Sequence, residues 1–340
     1  MKGFRRFLVL RVVSLVPTIF GLILLTFFLT HIIPGNPALI LGGPEVVSNP
    51  AELKVLEAEL GLNKPLYVQF FIYLVQLLHF NLGYSFIQGQ YITYELGARF
   101  PPTIELAVAA MIIGVPIGIY AGIFAALRAN QLGDHAVRIT SLLGISMPVF
   151  FLDLLLIIAF FSDLHLAPSP FGQLSPQLGY PRSITGFVIL DSLFTGNITD
   201  FANAIWHIIL PAVGLSFAII AVLARVMRAS MLDVVNKDYM RTAFAIGLPR
   251  NILIRKYALR NALLPTITVT AIQMGALMGG VVLTETIFSW PGLGLYTYNS
   301  ILSLDYPSIM AVAILSGVVF VLINFLADIL YGVVDPRVKY

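Results

Sequence analysis

The side chains able to do chemistry fall into two groups. Four carboxylates, Glu105, Asp153, Glu285 and Asp328, lie inside or at the ends of long apolar runs. A charge there is costly and faces a cavity or a partner. The second group is the basic stretch "DYMRTAFAIGLPRNILIRKYALRNALLP", Asp238 to Pro265, set between two such runs. Covalent catalysis finds little equipment. With no cysteine, thiol nucleophiles and thiolate metal sites are excluded. His31, His79, His135, His165 and His207 are scattered over different segments, so a metal cluster is not expected. No G-x-S-x-G, H-E-x-x-H or phosphate-cradling G-x-x-x-x-G-K-[ST] occurs. The expectation is a non-enzyme with no catalytic, metal or cofactor residues of its own.

Each carboxylate has its own surroundings. Glu105 stands one turn inside an apolar run, where it reaches the outer headgroup layer or pairs structurally. Asp328 lies one turn from the inner end of the last run and can pair with a basic residue. Asp153 falls mid-run in "MPVFFLDLLLIIAF". Lining a passage is favoured for it, with pairing to a neighbouring helix as the alternative.

The elements that must position these groups are membrane helices. Hydrophobic residues make up 58% of the 340 and charged residues 11%, against about 25% charged in soluble domains. Several runs reach the ~20 apolar residues that cross a ~30 Å hydrocarbon core, and continuous runs mean helices because backbone groups must be satisfied internally. Six spans are predicted: 9–33, 103–127, 139–161, 205–223, 266–288 and 308–331. The first follows Lys2, Arg5 and Arg6 and is too long for a cleaved signal core. The stretch "PLYVQFFIYLVQLLHF" is shorter and contains Gln69, Gln76 and His79, so it reads as an outer helix on the membrane or on other spans. A second outer helix, "NPAELKVLEAELGL", is capped by Asn49 and closed by Gly61.

Basic residues set the orientation. The N-terminus, the 128–138 and 224–265 loops and the C-terminal tail hold sixteen Lys and Arg, whereas the opposite loops hold only Lys54, Lys64, Arg99 and Arg182. By the positive-inside rule both termini are cytoplasmic. The organisation expected is residues 1–34 as N-terminus and first span, and 35–101 as a long structured extracytoplasmic loop. Residues 102–331 form a five-helix core with a cytoplasmic loop at 224–265, and 332–340 a tail. The 162–204 loop is expected to be irregular.

The basic loop reads as two helices and a hinge. Asn236 can cap the first, and Asp238 in its first turn complements the helix dipole. Gly247 suits the left-handed position at its end, and Pro249 restarts the chain as a first-turn residue. Ala243, Ala245 and Gly247 have little to bury, which suits a short helix seated in a groove on another protein. Topology and lipid headgroups are the competing explanation for the charges, and nucleic acid is not an expected partner because aliphatic residues interleave them. Within the spans, Gly114, Gly118 and Gly122 give a small-residue face. Gly144, Pro148 and the stretch "MGALMGG", with Met274 and Met278, mark places for packing or for hinging near a pathway.

The chain resembles, over almost its full length, the membrane subunit of a binding-protein-dependent ABC importer of the dipeptide/oligopeptide/nickel permease family. The resemblance is carried by "VPTIFGLILLTFFLTHIIPGNP", "NLGYSF", "RVMRASMLDVVNKDYMRTAFAIGLPRNILIRKYALRNALLP", "ETIFSWPGLG" and "LADILYGVVDPRVKY", in that order. It implies an all-α polytopic protein with the six helices of the ABC type I importer fold. It also implies that the basic loop carries a coupling helix docking on a cytoplasmic ATPase, through Asp238, Arg241, Thr242, Ala243, Gly247, Leu248, Arg260, Asn261 and Pro265. Arg241 stands where the general importer pattern has an acidic residue. Glu285, beside "SWPGLG", matches a family position and would serve an outer gate or a loop anchor. Asp153, Met274, Met278 and Glu285 are the pathway and gate candidates.

The partners so implied are a second homologous permease subunit, two ABC ATPase subunits that bind ATP and Mg, an extracytoplasmic substrate-binding protein, and the bilayer. Small peptides are the cargo favoured, with oligosaccharides or a nickel chelate as alternatives. An ion-coupled secondary transporter is the competing class, although no internal repeat is evident.

Overall fold

The computed structural model describes residues 2–32, 50–59, 61–85 and 87–334. Among the described residues the regular structure is helical apart from a hairpin in which Tyr84 and Ser85 (β1) pair antiparallel with Tyr91 and Gln90 (β2). Among the described residues five helices are long and apolar enough to cross a membrane, and a sixth span is formed if one bent helix pair counts as a crossing. The chain divides into two compact units, one of residues 1–11, 99–296 and 319–340, the other of 12–98 and 297–318.

In the larger unit most of α4 (Ile92–Leu127) packs on α8 (Ile198–Val235). Leu106, Ala107 and Ala110 of α4 meet Ile208, Ala212, Leu215, Ile219 and Leu223 of α8 in the main buried cluster. The glycine stripe lets the backbones close. A Cβ on Gly114 would lie 2.9 Å from Ile219, one on Gly118 2.9 Å from Leu223, and one on Gly122 2.6 Å from Met227. Both helices begin earlier than expected. α4 takes up residues 92–101 of the predicted outer loop, and α8 starts seven residues before the predicted span and continues twelve beyond it.

The predicted third span is not straight. It divides into α5 (Leu132–Ser146) and α6 (Val149–Leu156), with a π-helical turn at Ile157–Asp163, and bends by 103°. The cause is local: Pro148 disfavours helical geometry in the residue before it. Met147 is accordingly extended (φ −83°, ψ 124°), and Pro148 opens the next helix. Both halves still pack along α8. Asp134 pairs with Arg228 near one end, a Cβ on Gly144 would meet Ala221 at 3.0 Å, and Asp153 abuts Gly214.

The 162–204 region is irregular over 164–187, as expected, and mostly helical beyond it. It contains α7 (Val188–Phe194) and is tied down by Asp191. That carboxylate accepts from the backbone N–H of Ile184, Thr185 and Gly186 and from the Thr185 hydroxyl. After α8 come α9 (Asp238–Ala245), α10 (Arg250–Ile252) with a π segment at Leu253–Ala258, and α11 (Leu259–Gly280). The predicted fifth span is interrupted after Gly279-Gly280, two poor helix formers. The chain resumes as α12 (Val282–Ile287) and α13 (Leu293–Leu302). The last helix, α14, is Tyr306–Val334. Asp328 on it pairs with Arg11 of α1 (Lys2–Ile32) at 3.0 Å, the basic partner expected for it.

In the smaller unit Phe27 of α1 meets Phe70 of α3 (Leu66–Leu78) edge to face at 5.3 Å. α3 has no buried residue, as an apolar helix too short to span would present. α2 (Pro50–Glu59) precedes it, with Gly61 at φ +71° just after its end. Asn49, the expected cap, lies outside the described residues. Asp305 accepts from the hydroxyls of Ser85 and Ser308, tying the hairpin to the start of α14.

Candidate functional site

Two constructions bring the sequence-level candidates together. The first is the basic loop. α9 is closed by a left-handed Gly247 (φ +79°), whose N–H bonds to the Phe244 carbonyl at 3.0 Å, while the Leu248 N–H bonds to the Ala243 carbonyl at 3.3 Å. This pair of bonds is a Schellman closure, and a left-handed residue there favours glycine. Leu248 packs back on the cluster of Met227, Met231, Met240 and Ala243.

Three details differ from expectation. Asn236 does not cap α9; it ends α8, and its side chain donates to the Leu232 carbonyl at 2.8 Å. The residue before α9 is Lys237, without a side-chain cap. Pro249 stands one position before α10, not in its first turn. The orientation of the small residues is also partly reversed. Ala243 is buried against the methionines of α8, whereas Phe244 is 75% and Ile246 71% exposed. Alternation of small and large residues gave no sign of which would face outward.

The remaining loop candidates are spread out. Asp238 is exposed and lies 3.7 Å from Arg241, and the Thr242 hydroxyl donates to the Asp238 carbonyl. Arg260 and Pro265 are exposed along α11, and the Asn261 side chain donates to the Tyr257 carbonyl at 2.7 Å. Asp238, Arg241 and Thr242 therefore share one short helix, and Arg260, Asn261 and Pro265 belong to the next long one.

The second construction surrounds Glu285, which is fully buried on α12. One carboxylate oxygen accepts from the Thr103 hydroxyl at 2.7 Å, and the other from the N–H groups of Gly294 (2.7 Å) and Leu295 (3.1 Å). Thr103 in turn accepts from the Leu293 N–H at 2.8 Å. The first N–H groups of a helix lack intrahelical partners and favour a negative group. Glu285 and Thr103 supply both needs for α13. The "SWPGLG" motif now has a physical account. Trp290, buried, donates its indole N–H to the Pro102 carbonyl at 2.9 Å. A Cβ on Gly292 would lie 2.4 Å from the Glu285 carboxylate, and one on Gly294 2.6 Å from the Val282 backbone.

Asp153 of α6 belongs beside this construction, because its partner Thr284 is on the same α12 as Glu285. It accepts from the Thr284 hydroxyl at 2.6 Å and is fully buried, with its other oxygen against Gly214 where a Cβ would lie only 1.9 Å away. Through these contacts it joins helices α6, α8 and α12. Glu105 is buried too. It accepts from Gln173 at 2.9 Å and the Ile189 N–H at 2.8 Å, so it holds the 162–204 segment and not the headgroup layer. Met278 lies in the main core and Met274 packs against it. Thr103, Thr284, Gly214 and Gln173 carried no sequence signal of these roles. A hydroxyl or an amide in a helix commonly bonds its own backbone, and only the fold selects its partner.

Among the described residues no group of three or more His, Asp or Glu is placed to hold a metal. The arrangement has buried polar latches around helix breaks and a short helix projecting beyond the spans.

Residues 114–340 match the family model described as the inner membrane component of binding-protein-dependent transport systems, and residues 4–107 match that of the N-terminal region of such components. The chain belongs to this family. It is thus a multi-pass permease subunit of the ABC type I importer fold. Similar proteins align end to end. A probable D,D-dipeptide transport system permease of Escherichia coli K12 is 42% identical over 96% of this chain and 95% of its own length. A di/tripeptide transport system permease of Pseudomonas aeruginosa UCBPP-PA14 is 41% identical over 98% of each. A glutathione transport system permease of Escherichia coli CFT073 is 35% identical over 98% of this chain and 99% of its own. The permease latches at Glu285 and Asp153 lie within the matched 114–340 region, as does the whole basic loop.

Proposed function

We propose that the chain forms half of the translocation pathway of an ATP-driven importer of small peptides, with both termini cytoplasmic. A second homologous permease subunit completes the pathway, an extracytoplasmic binding protein delivers the peptide, and two cytoplasmic ATPase subunits hold ATP and Mg. α9 is the coupling helix. The observation that carries this is its construction: Met240 and Ala243 anchor it on α8, while Phe244 and Ile246 stay exposed beyond the spans. Apolar side chains in water at a chain's most basic loop suit a protein groove. Asp238, Arg241 and Thr242 frame the contact. Small peptides are favoured as cargo because the three relatives are named for dipeptides, di/tripeptides and glutathione, itself a tripeptide.

The complex reconstituted in proteoliposomes tests this directly. Dipeptide uptake should require binding protein and ATP, and Phe244→Asp should lower ATPase co-purification and uptake at least tenfold, as loss of an interface anchor does. Uptake driven by a proton or sodium gradient without ATP would refute the importer. ATP-driven uptake of an oligosaccharide or a nickel chelate, but of no peptide, would replace the cargo.

A further inference from the structure

A groove of about 380 Å³ runs between α5 and α8, outside the latches and away from α9. His135, Arg138, Leu142 and Ile145 line it from α5, and Arg225 and Arg228 from α8. Positions 135, 138, 142 and 145 recur at helical spacing, so they form one stripe. The stripe is polar at one end and apolar at the other. From residue 135 to residue 145 an α-helix rises about 15 Å, and half of a ~30 Å hydrocarbon core is about the same depth. The groove therefore has the length of one leaflet, with its cations at the headgroup level and its aliphatic residues at acyl-chain depth.

The cations are unevenly committed. Arg228 is held by both oxygens of Asp134, at 2.5 and 2.6 Å, and Asp134 is fully buried. Arg138 and Arg225 are exposed, and neither has a carboxylate within salt-bridge distance among the described residues. The buried pair fixes the rim, leaving two cations for something that arrives from outside. Leu142 is 65% exposed and Ile145 40%, so the occupant must also be apolar along its length.

We propose that this groove binds an anionic phospholipid of the inner leaflet, its phosphate between Arg138 and Arg225 and one acyl chain along Leu142 and Ile145. The leaflet assignment rests on the orientation given above. Anionic lipids populate the cytoplasmic leaflet, and basic pockets between spans hold their head groups. A free anion would use the two arginines but make no use of the aliphatic half. A zwitterionic lipid would fill the aliphatic half but gain less from the cations.

The test is lipid retention by the purified full-length permease complex, read by native mass spectrometry after equal exposure to phosphatidylglycerol and phosphatidylcholine of identical chains. The wild type should retain phosphatidylglycerol preferentially by about thirtyfold, the factor two membrane-surface cations supply. Arg138→Gln with Arg225→Gln should abolish the preference, and Leu142→Trp, which fills the apolar half, should lower retention of both lipids. Excess inorganic phosphate should not displace the bound lipid. Equal retention of both lipids by the wild type, or an unchanged preference in the double variant, would overturn the site. Displacement by phosphate would make it an anion site. Release of the second permease subunit from the double variant, with lipid retention unchanged, would assign the groove to protein. Retention is read without nucleotide, binding protein or cargo, so failure here leaves the importer standing, and failure of import leaves the retention result intact.

Discussion

Replacing Glu285 should separate a structural latch from an ornamental charge. Its carboxylate is the acceptor for one hydroxyl and two backbone N–H groups, the Thr103 and Gly294 bonds buried and the Leu295 bond half-buried. Glu285→Ala removes all three partnerships at once. A buried donor left without a partner costs about 1–3 kcal/mol. Thr103 can turn its hydroxyl toward the Arg99 carbonyl, 3.4 Å away, so its loss is softened. The Gly294 and Leu295 N–H groups have no such recourse on a helix's first turn. The sum is roughly 3–5 kcal/mol, a large share of the 5–15 kcal/mol typical of a folded protein. Glu285→Gln keeps one carbonyl oxygen for the two N–H groups and offers its amide to Thr103, so about 1 kcal/mol is expected. Thermal denaturation of the purified chain in detergent, at one fixed scan rate, reads the order. Glu285→Ala should melt lower by on the order of 5–10 °C and Glu285→Gln by about 2–3 °C. If alanine and glutamine melt together, or alanine melts with the wild type, the latch is not what holds α13.

Other substitutions probe the remaining contacts by the same melt. Gly122→Ala should cost about 1–3 kcal/mol, because its Cβ meets Met227 at 2.6 Å. Gly21→Ala, with nothing within 4 Å, should be neutral or stabilising by up to about 1 kcal/mol. Gly214→Ala should be worse than Gly144→Ala, since the Cβ would lie 1.9 Å from Asp153 against 3.0 Å from Ala221. Equal melts for that pair would mean Asp153 moves without cost. Burial pushes the Asp191 carboxyl up, but donation from Thr185, Ile184 and Gly186 outweighs it and leaves it below the usual Asp value. A depressed folded-state value stabilises fully above the unfolded one and is lost as pH falls through the folded one. Limited proteolysis within 162–204 should therefore accelerate only in acid for the wild type and already at neutral pH for Asp191→Asn.

The helical class and the places of the spans were legible because apolar run length is a one-dimensional property of the chain. Helix ends were less so. α4 begins at Ile92 and α8 at Ile198, both in segments whose polar residues looked like loop, because those residues find partners only in three dimensions. Asn197 caps α8 by accepting from the Asp200 N–H, a signal present in the sequence at a helix start placed seven residues too late. Pro148 was visible as a kink, but not the size of the bend it produces. For the basic loop the hinge at Gly247 was readable from residue type alone. The burial of Ala243 was not, because it depends on where Met227 and Met231 of another helix arrive. Asp153 was conspicuous for its charge, yet its role follows from two silent neighbours, Thr284 and Gly214.

The glycine stripe fixes the relative direction of α4 and α8. Residues 114, 118 and 122 of α4 face 219, 223 and 227 of α8 in rising order on both sides, so the two helices point the same way. A chain that leaves one face of a membrane and later leaves it again in the same direction must have returned in between. Only the bent pair and the 162–204 segment lie between them. The pair descends along α8 from Arg228 through Ala221 to Gly214 as its own numbers climb from 134 to 153, a travel of about 20 Å. The elbow at Pro148 is therefore a corner passed on the way from the Arg228 end of α8 to its Gly214 end.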